Sequence, residues 1–137
     1  MENKKTDRLI WFKGDIIPVG DAKINVLSPT SQFGANVFEG LRAYWNVSEK
    51  QLYVFKLPEH IDRLQNSIKM LELEATFTNV FLQKSVIDII QANKFQEDLV
   101  CRQTVFLDGF GNWSATGPVE MFIAPMAKGR YYEKSKG

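Results

Sequence analysis

The chain has 137 residues, which is the length of a single domain, and 45% of them are hydrophobic, enough for a core that needs no covalent crosslinks. Seventeen basic and 16 acidic residues leave a net charge of +1, which argues against binding to nucleic acid or to an anionic membrane. One cysteine and one histidine exclude both an internal disulfide framework and a zinc site built from these two residue types.

The N-terminal residues, MENKKTDR, are charged and lack the apolar stretch of a secretory signal. No apolar run in the sequence approaches the ~18 residues that a membrane-spanning helix requires. We therefore expect a cytoplasmic protein that meets neither membrane nor nucleic acid.

Short apolar runs separated by turn-forming residues predict an opening β-hairpin. Its strands are Leu9–Phe12 and Ile16–Val19, joined by a tight turn at Lys13–Asp15. Pro18 places the second strand at an edge of the sheet or at a strand end. Ile24–Leu27 is either a third strand or an irregular link.

A second hairpin is predicted after a stretch of small residues. We expect a turn or a short helix over Gln32–Gly40, followed by a strand at Leu41–Trp45. The polar segment Asn46–Gln51 then connects this strand to a partner at Leu52–Phe55, and antiparallel pairing is the economical arrangement.

Apolar positions then recur at helical spacing, which predicts two helices. The first spans Pro58–Leu71, with proline near its start. The second is capped by Thr78 or Asn79 and fades near Asn93. The apolar stripe of the first helix consists of Ile61, Leu64, Ile68 and Leu71, and that of the second of Leu82, Val86, Ile89 and Ile90.

The last third returns to strands, at Leu99–Leu107 and Val119–Pro125, separated by a loop at Asp108–Pro118 that is rich in glycine and small residues. Strands, two helices and strands again, without regular βαβ alternation, predict an α+β fold. We expect a two-layer sandwich with a mostly antiparallel sheet and two helices on one face.

Few residues carry chemistry. His60 has no nucleophile in a recognisable arrangement, which favours a packing or capping role, and Cys101 alternates with Arg102 on a predicted strand, which favours the core. No glycine pattern matches a nucleotide-binding loop. Arg42, Arg63 and Arg102 all fall inside predicted elements. A guanidinium on a rigid element suits a phosphate or a carboxylate, and a surface ion pair is the alternative.

Two segments carry a resemblance to a known family. Residues 31–44, SQFGANVFEGLRAY, and residues 52–64, LYVFKLPEHIDRL, resemble the class IV (fold type IV) pyridoxal-phosphate aminotransferases, and within them the branched-chain amino acid aminotransferases. The resemblance implies the small N-terminal domain of the D-amino acid aminotransferase-like fold over residues 1–130. Residues 131–137 would then begin the interdomain linker, with the large C-terminal domain absent.

The resemblance also assigns roles to single residues. Arg63 matches the arginine that binds the cofactor's phosphate, and Phe38 and Gly40 match positions that shape the substrate side-chain pocket. Arg102 matches an arginine that receives the distal carboxylate of glutamate, and Tyr131 matches a pocket tyrosine. The resemblance also places Phe33 in the substrate pocket. Phe33 and Val100 depart from the commonest pattern of the family, because tyrosines are common at both positions.

The implied activity is transfer of an amino group between leucine, isoleucine or valine and 2-oxoglutarate, with pyridoxal 5′-phosphate as cofactor and a homodimer or higher homo-oligomer as the assembly. The family's cofactor-bonding lysine lies in the C-terminal domain, so we expect no catalytic residue and no metal site in this chain, and no activity from it alone. The alternatives are a D-amino acid aminotransferase, an aminodeoxychorismate lyase, or a non-enzymatic association module.

Overall fold

A computed structural model describes residues 8–127, and this part of the chain contains six strands and three α-helices. In chain order these are β1 Leu9–Phe12, β2 Asp15–Pro18, α1 Pro29–Phe33, β3 Asn36–Asn46, β4 Gln51–Val54, α2 Leu57–Met70, α3 Asn79–Asn93, β5 Leu99–Leu107 and β6 Val119–Ala127.

The six strands form one sheet in the order β2-β1-β6-β5-β3-β4, and every neighbouring pair is antiparallel. β5 pairs with β6 along its whole length and with β3 over eight residues. β5 is therefore hydrogen-bonded along both edges, and its apolar run suits this place at the centre of the sheet. The predicted bounds of β5 are confirmed to the residue.

The helices α2 and α3 pack on one face of the sheet, which confirms the predicted α+β two-layer architecture. Their apolar stripes meet alternate residues of the strands in a single buried cluster. The prediction for Leu71 is wrong, because α2 ends at Met70 and Leu71 is 49% exposed. The strand residues of this cluster include Trp11, Leu41, Ala43, Leu99, Cys101, Val105, Met121 and Ile123, and the helix residues include Ile61, Leu64, Ile68, Leu82, Val86, Ile89 and Ile90.

Local signals fix the turns and helix ends. In the β1–β2 hairpin Lys13 and Gly14 both have positive φ, 53° and 96°, as a type I′ turn requires. Thr78 caps α3 by accepting a hydrogen bond from the backbone N–H of Phe81 at 3.1 Å. Of the two predicted cap residues, the structure therefore selects Thr78.

The prediction for Gln32–Gly40 is partly wrong. A short helix is present, capped by Ser28 and ended by Gly34 at φ 65°, but β3 already begins at Asn36, five residues before the predicted strand. Pairing with β5 holds this stretch extended despite its small residues, from Asn36 opposite Phe106 onward. The segment at residues 24–27 is the irregular link, not a third strand.

Asn93, the last residue of α3, ties the helix to β1. Leu9 donates its backbone N–H to Asn93 Oδ1 at 2.9 Å, and Asn93 Nδ2 donates to the Leu9 carbonyl at 3.0 Å. Asn93→Ala should lower the free energy of unfolding by about 1–3 kcal/mol, because both part-buried backbone groups lose their partner. Urea denaturation would measure this. Asn93→Asp keeps only the acceptor, so its free energy of unfolding should lie between those of the unsubstituted chain and Asn93→Ala. Equal free energies of unfolding for all three proteins would contradict the assignment.

Lys13 and Asp108 form an ion pair between the first hairpin and the end of β5. Burial acts to raise the pKa of Asp108, but hydrogen bonds from Lys13 and Gly109 and the lysine charge outweigh it and hold the pKa below its ordinary value. The ion pair therefore contributes to the free energy of unfolding above pH ~3.9, the pKa of an aspartate in the unfolded chain. This contribution is lost as the pH falls through the lower pKa of Asp108 in the folded protein.

This pair gives the chain a specific acid sensitivity. Lys13→Met should make the free energy of unfolding less dependent on pH below about 4, as measured by urea denaturation at several acidic pH values. Lys84→Met is the matched control, because Lys84 pairs with Asp88 at 2.7 Å while itself 71% exposed, and exposed pairs contribute little. An unchanged pH profile for Lys13→Met would contradict the prediction.

Candidate functional site

The face of the sheet opposite α2 and α3, called here the open face, carries the predicted substrate residues. The strand register sets its side chains in three rows running across β3, β5 and β6. The rows are Phe38, Thr104 and Phe122; Gly40, Arg102 and Ala124; and Arg42, Val100 and Met126. Three predicted site residues, Phe38, Gly40 and Arg102, are thus direct or diagonal neighbours.

Gly40 and Arg102 lie directly opposite each other and create a recess beside a cation. A Cβ atom built on Gly40 would meet nothing within 4 Å, so the space next to the Arg102 side chain is open. On the other side, Ala124 lines an apolar cavity of about 240 Å³ that extends toward β1. The arrangement offers a charged group at the border of apolar walls.

Arg102 lies over an aromatic ring. Its guanidinium carbon is 4.3 Å from the centre of the Phe38 ring, close enough for a cation–π contact. This contact holds the guanidinium beside the ring, and the N–H groups of a guanidinium suit a carboxylate. Phe38 itself is 48% exposed, so the pair remains accessible from the open face.

Arg63 lies on the other side of the sheet, on α2. Its Nε is 3.4 Å from Glu39 Oε1, and its side chain is 72% exposed. Glu39 is buried at 5% exposure and points toward the helices, between Phe38 and Gly40, which point the opposite way. His60 Nδ1 donates to the same Glu39 oxygen at 2.7 Å.

Sequence reasoning missed Glu39, although a signal was present. A strand over residues 36–46 puts Glu39 in phase with Leu41 and Ala43, which are core positions. A carboxylate in that phase needs cationic or hydrogen-bonding partners, because an unpaired buried charge is very costly. His60 is partly buried and bonded to Glu39, which fits the predicted packing role without excluding a place at the site.

The two arginines approach the same edge of the sheet from opposite faces. β4 pairs with β3 from Ala43 onward, with one further bond from Phe55 N–H to the Arg42 carbonyl at 2.8 Å. Within residues 8–127, no strand lies beside Asn36–Leu41 on the side away from β5. This side of Asn36–Leu41 is called the β3 edge. Backbone alternation directs the polar groups of Phe38 and Gly40 toward it.

The remaining predicted site residues lie apart from this group. Phe33 is the last residue of α1 and is 53% exposed, and two residues separate it from the start of β3. Tyr131 lies outside the described residues, so its predicted role stays a prediction. Val100 occupies the third row of the open face, opposite Arg42.

Cys101 is confirmed as a core residue. It is fully buried, and burial raises the pKa of its thiol to about 12, so it is neither a nucleophile nor a ligand at ordinary pH. Across residues 8–127, no group of three or more His, Cys, Asp and Glu side chains is placed to hold a metal ion. In the same range no helix combines the length and apolar character needed to cross a membrane.

Comparison with known proteins places the chain in a family. The sequence model described as amino-transferase class IV matches residues 36–136. The chain belongs to the class IV aminotransferases. A probable branched-chain-amino-acid aminotransferase from Aquifex aeolicus is 32% identical over 132 residues, covering 93% of this chain and 42% of the relative.

Solved structures of the family share the fold. A branched-chain aminotransferase from Thermoproteus uzoniensis, crystallised with norvaline, superposes with a TM-score of 0.84 at 36% identity, covering 90% of this chain and 42% of that one. A branched-chain amino acid aminotransferase from Thermobaculum terrenum, in its PLP form (holo-form), superposes with a TM-score of 0.80 at 28% identity, covering 94% of this chain and 43% of that one. This class IV chain thus spans about two-fifths of the length of these relatives.

Proposed function

We propose that residues 1–130 form the small N-terminal domain of a pyridoxal-phosphate-dependent branched-chain amino acid aminotransferase, and that residues 131–137 begin the linker to its large domain. The observation that carries the proposal is the placement of Arg63 and Arg102 on opposite faces of the sheet beside the β3 edge. One cation serves the cofactor and the other serves the substrate, with Gly40 between them.

Arg63 fits a phosphate. Its Nε lies 3.4 Å from Glu39 Oε1 and its side chain is 72% exposed, which leaves room for an external anion at the terminal amino groups, and a guanidinium binds phosphate oxygens in pairs. The PLP of the Thermobaculum terrenum holo-form is a compound that carries such a phosphate. Pyridoxal 5′-phosphate, when bound, would supply the electron-withdrawing ring that amino-group transfer needs. Arg63 contributes binding and orientation to that chemistry.

Arg102, Phe38 and Gly40 fit a substrate that alternates between charged and apolar side chains. The recess at Gly40 admits a branched aliphatic chain against the Phe38 ring, which excludes water. The Arg102 guanidinium, beside the Phe38 ring, receives the distal carboxylate of glutamate or 2-oxoglutarate. This pairing favours the branched-chain reaction over the D-amino acid and lyase reactions of the family.

The chain would then be inactive alone, because amino-group transfer needs a lysine that bonds to the cofactor and moves its proton. Twelve lysines occur here, and the ion pairs of Lys13 and Lys84 hold those two at the surface, away from the β3 edge. The experiment is reduction with borohydride in the presence of pyridoxal 5′-phosphate, followed by mapping of labelled lysines by mass spectrometry.

The expected result contrasts this chain with a two-domain protein in which a class IV large domain follows Gly137. The two-domain protein should retain one equivalent of cofactor on a single lysine of the large domain, whereas the short chain should show only scattered, substoichiometric labelling. Stoichiometric labelling of one lysine in the short chain would overturn the proposed division of labour.

Gly40 gives a prediction that separates function from folding. Gly40→Val should leave the melting temperature unchanged or raised, because its Cβ meets open space and valine suits a strand. In the two-domain protein it should lower kcat/KM for leucine by about tenfold or more, since it fills the recess. Gly20→Ala is the control, because a Cβ there also meets nothing within 4 Å. Unchanged leucine kinetics would remove Gly40 from the pocket.

We also propose that the working enzyme is a homodimer or a higher homo-oligomer. Several large apolar side chains of the described residues are more than half exposed. Exposed apolar groups of this kind support contact with another domain or another subunit, which would bury them. They are Val26, Leu27, Phe33, Val47, Phe55, Met70, Val80, Phe110 and Trp113. Light scattering on the two-domain protein would test this, and a monomer at micromolar concentration would refute it.

A further inference from the structure

We propose that Glu39 is a positioning residue for the cofactor's phosphate, acting through Arg63. This inference rests on the proposed function and deepens it. Arg63 Nε lies 3.4 Å from Glu39 Oε1, which brings the guanidinium to Glu39 by its Nε end and would turn the end with the terminal amino groups toward a phosphate. The structure assigns to this buried carboxylate the task of aiming a side chain that is otherwise 72% exposed.

Glu39 is a rigid anchor. It lies in the part of β3 that pairs with β5, directly opposite the fully buried Gln103, and its own side chain is 5% exposed. His60 on α2 donates to Oε1 at 2.7 Å and fixes the rotamer of the carboxylate. An arginine tethered to such a point gives up less freedom on binding a ligand than one that is free in solvent.

Glu39 contacts two side chains of α2, and the two contacts differ. His60 makes the short contact and provides this buried carboxylate with a hydrogen bond. Arg63 makes the longer contact, at 3.4 Å, and its side chain is 72% exposed. The Glu39–Arg63 contact therefore adds a cation to a carboxylate that is already hydrogen-bonded, and the same contact orients the guanidinium.

A purely electrostatic effect and a positioning effect of Glu39 predict opposite changes in phosphate binding for the same substitution. Glu39→Gln removes a negative charge close to the phosphate site and should tighten anion binding if charge is all that matters. If Glu39 positions Arg63, the same substitution should weaken binding. Glu59→Gln is the matched control, because Glu59 is an exposed residue of α2, the helix that carries Arg63, and the change in charge is identical.

The experiment measures binding of pyridoxamine 5′-phosphate to the 137-residue chain by NMR titration, with pyridoxamine as the control lacking phosphate. Pyridoxamine 5′-phosphate has no aldehyde, so it does not react with the twelve lysines. Glu39→Gln should raise Kd about fivefold or more, the loss expected for one charge-assisted contact. Glu59→Gln should leave Kd equal or slightly lower. A Kd for Glu39→Gln at or below that of the unsubstituted chain would overturn the proposal.

A second measurement needs neither a ligand nor the Glu39 variant to fold. The Nε–Hε resonance of Arg63, identified by its loss in Arg63→Lys, should differ in chemical shift from that of an arginine with no carboxylate neighbour and should exchange more slowly with water. A chemical shift and an exchange rate equal to those of such an arginine would overturn the proposal. Arg63→Ala separates the two ideas. If it leaves the phosphate preference intact, the cofactor role of Arg63 fails, whereas a loss with Arg63→Ala but not with Glu39→Gln removes only the positioning role.

Discussion

Arg63→Ala is expected to weaken binding of pyridoxal 5′-phosphate to the two-domain protein by about 10- to 100-fold. Hydrogen bonds to a charged group are worth about 1.5–3 kcal/mol, and each 1.4 kcal/mol is a factor of ten in Kd. The melting temperature of the apo protein should barely change, because the side chain is 72% exposed and His60 still satisfies Glu39. Equilibrium dialysis and thermal denaturation together measure both quantities.

Lys69→Ala is the control for Arg63. Lys69 is an exposed cation near the end of the same helix, so its removal changes the charge equally without touching the β3 edge. Its effect on cofactor affinity should stay within about twofold, in line with the screening of exposed charges. Equal losses for the two variants would show that general charge attracts the phosphate, and a large drop in melting temperature for Arg63→Ala would make it a structural residue.

Arg102→Ala should raise the KM of the two-domain protein for glutamate by about 10- to 100-fold and the KM for leucine by less than about threefold. The distal carboxylate loses a bidentate partner, whereas an aliphatic chain loses only contact area. Steady-state kinetics with each amino donor at saturating 2-oxo acid acceptor would give both values. The substrate pair is its own control, since a general defect would act on both.

Phe38→Leu provides an intermediate case for the same site. The leucine keeps the position apolar but removes the ring whose centre lies 4.3 Å from the Arg102 guanidinium carbon. The guanidinium then loses its cation–π contact, and the KM for glutamate should rise by a smaller factor than in Arg102→Ala. If Arg102→Ala instead slows both donors equally, Arg102 supports the sheet and does not recognise the carboxylate.

Much of the fold follows from local patterns in the sequence. The apolar run of Leu99–Leu107, bounded by polar residues and a glycine-rich loop, gives both ends of β5, and Thr78 before an apolar stripe gives the start of α3. The start of β3 does not follow, because residues 32–40 contain small residues that favour turns. Strand geometry there depends on pairing with β5, which is distant in sequence and invisible to a local pattern.

The same error hid part of the candidate site. The resemblance singles out Phe38, Gly40, Arg63 and Arg102 individually, but a turn at Phe38–Gly40 has no alternating faces. Once the segment is a strand, Phe38 and Gly40 face Arg102 while Glu39 faces Arg63. The division of the site between two sides of the sheet is therefore a property of tertiary pairing.

The β3 edge also bears on the tendency of this chain to aggregate. An unpaired edge invites strands from other molecules to add to the sheet, and proteins counter this with inward-pointing charges and with weak strand formers. Along Asn36–Leu41 both devices are present, because Glu39 points inward and Gly40 offers an incoming strand no side chain to pack against. A variant with Glu39 and Gly40 both replaced by valine would turn this segment into a continuous apolar template for intermolecular β-sheet.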